Sequence, residues 1–130
     1  MAFKGIFKYK GKEYRLINFT HTVERTLDNR GAPASGVVAG IINITVEIGD
    51  NNDIAAWAML DYQADEGEIV LYKRDSEATL RSLKFKDAYI FFYQEIFNSD
   101  DTTPSIFSFS ITAREVDLSP DGIMGTARWA

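Results

Sequence analysis

Apolar and polar side chains alternate along most of the chain. The clearest run is Val37–Ile48, where Val38, Ile42, Ile44, Val46 and Ile48 share one parity and Asn43, Thr45 and Glu47 take the other. A period of two marks a half-buried strand. Gly40 leaves a gap on the apolar face and signals a bend or a close approach. Ser105–Leu118 repeats the pattern, with Phe107, Phe109, Ile111 and Ala113 against Ser108, Ser110, Thr112 and Arg114. Near the start, Ala2–Tyr9, a Lys10-Gly11-Lys12 turn and Glu13–Ile17 read as a hairpin. Asn18–Leu27 continues as a strand with Phe19, His21 and Val23 on one face. Leu80–Phe97 is a long strand with a bend at Asp87-Ala88. Its centre is apolar on both parities: Ala88, Ile90 and Phe92 on one, Tyr89, Phe91 and Tyr93 on the other. Such a strand is covered on both sides or belongs to a subunit interface. Glu68–Arg74 and Ile123–Trp129 are shorter strands.

One stretch has helical spacing instead: Ile54, Trp57, Ala58 and then Leu60 or Asp61. The preceding turn, Gly49–Asp53, is rich in capping residues. Asn51 or Asn52 can accept from the first free amides, and Asp53 complements the helix dipole. The spacing predicts a helix ending near Gln63, before Ala64-Asp65-Glu66-Gly67. Turns are expected at Asp75-Ser76-Glu77, Asn98–Pro104 and Ser119–Gly122. The clearest loop is Asp28–Gly36, longer than the usual hairpin connection and therefore suited to binding or assembly. About seven or eight strands and one mid-chain helix predict a mainly β fold, a closed or nearly closed β-barrel, with a sandwich as the other way to protect strand edges.

Composition narrows the class. A chain of 130 residues suits one domain, 1–130, and 45% hydrophobic with 25% charged residues is the balance of a globular chain rather than a disordered one. With no Cys, a disulfide scaffold, a thiolate metal site and a Cys nucleophile are excluded. No apolar run approaches the ~18 residues of a membrane span. Met1–Lys12 interleaves Lys with Phe, Ile and Tyr, so no signal peptide is expected. A net charge of −5 disfavours nucleic acid as a partner.

Candidate chemistry is sparse. His21 is the one His and has no second His or Cys to work with, so it reads as a polar member of a strand face. Asp50-Asn51-Asn52-Asp53 lacks the twelve-residue frame of a calcium loop and reads as a helix cap. Glu66/Glu68 and Asp100/Asp101 read as solvated loop charge rather than a glycosidase pair. The glycines do not fall at phosphate-loop spacing, and no Ser sits in a nucleophile elbow. Asn18-Phe19-Thr20 and Asn43-Ile44-Thr45 match the glycosylation pattern by chance on this reading. Lys4, Lys8, Lys10 and Lys12 form a basic stripe, which reads as an edge strand guarded by lysines. No catalytic residue, metal ligand or cofactor site is assigned. Two-faced aromatic strands, a long small-residue loop and strand edges suit association.

Several segments resemble the type VI secretion tube family, Hcp or TssD, in its Bacteroidetes form. They are Tyr72–Ser76, Leu83–Tyr89, Ser110–Val116, the opening Phe3-Lys4 with Gly11–Tyr14, and the loop Arg30–Ser35. Their order and spacing run from Phe3 to about Val116, leaving the tail Asp117–Ala130 unmatched. The resemblance implies a β-barrel with one helix, assembled into hexameric rings that stack into a hollow tube. A contractile sheath drives such a tube, tipped by a spike, and effector proteins ride in its lumen. The implied partners are therefore further copies, spike, sheath and effectors, with no nucleic acid and no direct membrane insertion. The implied location is the bacterial cytoplasm before firing and the exterior or a target cell afterwards, without a cleaved signal. No enzymatic activity and no cofactor are implied. Asn29, Arg30, Gly31, Ala32, Pro33, Ala34, Ser35 and Gly36 match the family's stacking loop. Ser108, Ser110, Thr112 and Arg114 form a candidate lumen or exterior polar face, opposite the Phe107, Phe109, Ile111 core parity. The alternatives are the tube of a related contractile injection machine and a small-ligand barrel of the fatty-acid-binding or lipocalin kind. The mid-chain helix counts against the latter, whose lid follows the first strand.

Overall fold

The computed structural model describes residues 4–23, 29–31, 40–60, 63–73, 79–100, 102–119 and 123–126. In chain order they form β1 (Lys4–Tyr9), β2 (Lys12–Thr22), β3 (Ile41–Glu47), α1 (Asp53–Met59), β4 (Asp65–Tyr72), β5 (Thr79–Ile96), β6 (Ile106–Ser119) and β7 (Ile123–Thr126). Lys10 and Gly11 both have positive φ, 50° and 74°, and Tyr9 faces Lys12 across them. This is the primed two-residue turn whose twist matches the strands it joins. Lys12 thus belongs to β2 rather than to the turn.

All strand pairs are antiparallel and follow the order β3-β2-β1-β4-β5-β6-β7, with β3 also paired to β6. The chain is two meanders, β1-β2-β3 and β4-β5-β6-β7, joined through α1 and sealed along β1–β4 and β3–β6. Six strands close the barrel. β7 stands outside the ring, against Glu115–Leu118 of β6, while β3 occupies the same edge of β6 at Ile106–Thr112. The expectation of seven or eight barrel strands is corrected to six for this reason. Neighbouring residues Arg15 and Leu16 lead round the barrel to opposite parts of β5. The first leads through Ile6 and Val70 to Ser82, the second through Val46 and Phe107 to Glu95. Such an offset means steeply tilted strands.

The predicted parities hold. Ile42, Ile44 and Val46 of β3 and Phe107, Phe109, Ile111 and Ala113 of β6 are buried. Aromatic rings fill the interior. Phe7 lies within 6.1 Å of Tyr9, Tyr14, Phe85 and Phe109 by ring centroid. Trp57 of α1 stacks on Tyr9 at 5.0 Å and lies 6.1 Å from Phe85. With Ile54 it is the buried side of α1. Burying rings of this size contributes about 1.5–3 kcal/mol each.

The helix is shorter than its spacing predicts. It ends at Met59, and Leu60 is extended with φ −85° and ψ 126°. Leu60 is exposed, and the Trp57 indole N–H donates to the Gln63 carbonyl at 3.0 Å, holding the chain after the turn. At the other end Asn52 occupies the cap position without a side-chain cap bond. Asn51 serves instead, accepting from the Asp53 amide at 3.0 Å and from the Tyr14 hydroxyl at 2.7 Å. β4 starts at Asp65, earlier than the expected Glu68, and Tyr9 donates to the Asp65 carboxylate at 2.6 Å. The β5 bend is real: Asp87 has φ 51°, and the register slips again between Ile90 and Phe92. Gly40 has φ 94°, and a Cβ there would stand 2.0 Å from the Thr22 carbonyl oxygen. The close approach expected at this glycine roots β3 against the end of β2. The expected strand ends at 24–27, 37–39, 74 and 127–129 lie outside the described residues.

Candidate functional site

The bend in β5 and the end of β3 along β6 divide the barrel surface into two walls. One is built from the first half of β6, all of β3 and the far halves of β5 and β2. On its outward parity, Gln94, Ser108, Thr45 and Asn18 form one row. Phe92, Ser110, Asn43 and Thr20 form the next, and Tyr89, Thr112, Ile41 and Thr22 a third. None of these side chains is charged. Five of them bond to one another instead. Ser110 donates to the Asn43 side-chain oxygen, the Asn43 amide donates to Thr20 at 2.9 Å, and Thr45 and Ser108 share a hydrogen at 3.3 Å. Ser110 retains only 9% exposure beneath this chain of bonds.

The other wall is built from β1, β4, the start of β2, the first half of β5 and the second half of β6. Here Glu13, Lys8, Glu68, Lys84 and Asp117 face one another in turn across five strands. Lys86 faces Glu115 in the neighbouring row. Opposite charges in such register positions attract through water, by at most roughly 0.2–1 kcal/mol per pair.

The uncharged wall has two flanks without a strand partner among the described residues. β4 leaves β5 at Ala88, so the β5 edge runs open from Tyr89 to Ile96. β1 leaves β2 at Arg15, so the opposite edge runs open from Leu16 to Thr22. Exposed apolar side chains gather at these flanks. Phe91 is 57% exposed, Phe92 49% and Phe97 78%, with Ile96 beside them, and Ile17 and Val23 are exposed along β2. Tyr93 points the other way, its ring 5.9 Å from Phe107. Its hydroxyl is buried without a hydrogen-bond partner, and burial pushes its pKa up to about 12.

The sequence candidates fall as follows. Ser108, Ser110 and Thr112 lie on the uncharged wall. Arg114 is exposed beyond its last row, past the end of β3. In the candidate stacking loop, Asn29, Arg30 and Gly31 are exposed and Gly31 has φ 82°. Ala32, Pro33, Ala34, Ser35 and Gly36 lie outside the described residues. The loop springs from Thr22–Val23 and returns at Gly40–Ile41, at one end of the uncharged wall. At the other end, a surface hollow of about 740 Å³ lies between Arg15, Glu47 and the β5–β6 turn at Phe97–Ser105. Asp100 organises that turn: its carboxylate accepts from the Thr103 amide at 2.7 Å and from the Thr102 amide and hydroxyl. These bonds hold its pKa below the usual range. The lysine stripe disperses. Lys12 pairs with Asp53 at 2.7 Å, Lys4 sits 5.8 Å from the Tyr72 ring, and Lys8 faces two glutamates. His21 is half-buried opposite Ile42. Sequence reasoning missed the β2 edge. Its one signal is Ile17, an apolar side chain where the alternation calls for a polar one.

A barrel whose interior is filled, and whose distinctive features are walls and open flanks, is a building block rather than a container. The family model for hemolysin coregulated protein Hcp (TssD) matches residues 1–130, including the tail that the segment resemblance left out. The chain belongs to this family, the subunits of the type VI secretion tube. Among solved structures, it resembles Hcp1 from Flavobacterium johnsoniae at 28% identity and TM-score 0.83, covering 95% of this chain and 98% of that one. Hcp3 from Pseudomonas aeruginosa shares the fold at 13% identity and TM-score 0.65, with 99% of each chain covered. So does a chain of an extracellular contractile injection system's sheath–tube complex, at 10% identity and TM-score 0.62, with 92% and 90% covered. Among curated proteins, none matches the sequence. No helix among the described residues is long and apolar enough to cross a membrane.

Proposed function

We propose that this chain forms hexameric rings that stack into a hollow tube, with the uncharged wall facing the lumen and effector proteins carried inside. The observation that carries this reading is the contrast between the walls. A lumen that must release varied cargo is best lined by hydroxyls and amides already bonded to one another, because fixed charge would hold cargo of opposite sign and repel the rest. The charged wall then faces water and the sheath. Stacking in one orientation brings the 29–36 loop of one ring to the hollow beside Phe97–Ser105 of the next. The work is mechanical, and the chain travels from the cytoplasm to the exterior with the tube. The ligand-barrel alternative loses its cavity, since Phe7, Tyr9, Trp57, Phe85 and Phe109 occupy the space a lipid would need.

The test is solution mass by light scattering with negative-stain microscopy of the same sample. Open-centred rings at six times the 14.6 kDa chain mass are expected. Substituting Gly31 or Pro33 is expected to leave rings intact and abolish stacking. A chain that stays monomeric at high concentration, with no rings or tubes in the field, would overturn the ring reading.

A further inference from the structure

The uncharged wall is not uniform. Two positions in its three rows carry a side chain with no polar atom: Phe92, 49% exposed, and Ile41, 42% exposed. The polar members of the Phe92 row are already committed, Ser110 to Asn43 and Asn43 to Thr20. Thr45 and Ser108 are committed to each other in the row beside it. A molecule laid on this face therefore gains little by hydrogen bonding there, since each new bond competes with one in place. It also finds no charge in these rows to pair with. What the wall leaves unused is apolar surface. Ile41 stands two strands across and one row along from Phe92, about 12 Å on the diagonal. That span matches two turns of an α-helix, about 11 Å.

We propose that Phe92 and Ile41 are the footholds for cargo on this wall, and that they take a surface helix whose apolar side chains stand two turns apart, whatever the charge on its other faces. Naming the occupant as cargo rests on the tube reading; the two side chains, their exposure and their spacing are independent of it. Strand side chains stand roughly perpendicular to the sheet. A neighbour joined in the plane of the sheet therefore leaves both footholds facing the lumen. In a ring the pair recurs in every copy at one height, so a helix leaving one pair meets the next at high effective concentration. Because the contact is apolar, it does not weaken as salt rises.

The probe is a fluorescein-labelled amphipathic helical peptide with a leucine face, its polar face carrying either Lys or Glu, and a third form in which Ser replaces the leucines. Binding to assembled rings is read by fluorescence anisotropy at moderate and at high salt. Both leucine forms are expected to bind, alike once salt screens the chain's net charge, and the Ser form is not. Phe92→Ser is expected to lower the affinity about tenfold, and Ile41→Thr about threefold, with rings and circular dichroism unchanged. Leu60→Ser, which removes a comparably exposed apolar side chain outside the wall, is expected to leave it unchanged. Equal affinity in Phe92→Ser rings, an equal loss in Leu60→Ser rings, or binding at high salt that follows the charge of the peptide would overturn the footholds and leave the tube reading standing. Rings lost only in Phe92→Ser would give that side chain to the contact between copies and overturn the cargo site. Absence of rings in the native chain would overturn both.

Discussion

Three rows cross the wall of β5, β6, β3 and β2 without a charge, while the row that crosses β2, β1, β4, β5 and β6 on the far side is charged at every position. The same long strands serve both walls. β5 is Lys84 and Lys86 before its bend at Asp87 and Phe92 and Gln94 after it; β6 is Ser108 and Ser110 where β3 lies beside it and Glu115 and Asp117 past the end of β3. Surface character therefore changes partway along a strand, not between strands. Each wall satisfies itself in a different currency. Hydroxyls and amides on one are bonded neighbour to neighbour, whereas the other sets opposite charges face to face in water. The first arrangement keeps its strength when water is scarce, and the second weakens as salt rises.

The largest break in this comparison comes from removing what both walls share. Phe109 faces Phe7 at 5.7 Å from the charged side's β1 and Trp57 at 6.2 Å from the helix. Phe109→Ala is expected to cost about 3–5 kcal/mol in denaturant unfolding and to lose assembly with the fold. Next comes Ser110→Ala, which strips the bond to Asn43 on the uncharged wall. The expected cost is about 1–2 kcal/mol, and it should be insensitive to salt. Smaller still is Lys84→Glu, which sets like charges beside Glu68 and Asp117. The expected loss is about 0.5–1 kcal/mol at low ionic strength, recovered by salt and in part by Asp117→Lys in the same chain. An equal salt response of the Ser110 and Lys84 variants would erase the distinction between the walls.

The smallest effect concerns Tyr93, behind the β5 edge. Its hydroxyl is buried and unpartnered, so Tyr93→Phe is expected to be neutral or slightly stabilising near pH 7. At high pH the two chains should diverge. Burial raises the pKa of Tyr93 to about 12 in the folded chain, against about 10 when unfolded. The unfolded state then releases its proton first, so this contribution is intact below about pH 10 and lost as pH rises toward 12. Tyr9 and Tyr14 are shifted upward in the same direction, mainly by burial. Melting temperature measured from pH 8 to 12 should fall for both chains, and less steeply for Tyr93→Phe.

What the sequence discloses follows from the range of the interaction involved. Alternation is local, so the buried parities of β3 and β6 and the kink at Asp87 are legible residue by residue. Strand count in the ring is not, because it depends on β3 reaching β6 and displacing β7 to the end of that edge. Nor is the end of α1, where Leu60 turns extended and the Trp57 indole reaches the Gln63 carbonyl. The serines of the polar face are visible as a pattern. Their setting in a charge-free wall is not, since it takes the registers of three strand pairs to bring Asn18, Thr45, Ser108 and Gln94 into one row. Likewise the open edges exist only once β1 and β4 are seen to stop short of β2 and β5.

The two meanders sealed at β1–β4 and β3–β6 have a consequence for how the chain folds. Every other strand pair is a neighbour in sequence and can form as a hairpin within microseconds. The seams instead bring together residues such as Thr45 and Ser108, or Tyr9 and Asp65, that are 63 and 56 positions apart. Docking of the two halves thus sets the pace, and the first seam to form turns the second into a short-range closure. Until then the early half carries Ile42, Ile44 and Val46 on an open face, and the late half carries Phe107, Phe109 and Ile111. During synthesis the early meander must wait for its mate. A chain cut between α1 and β4 and mixed again from its two pieces would meet the same search, with concentration in place of the tether.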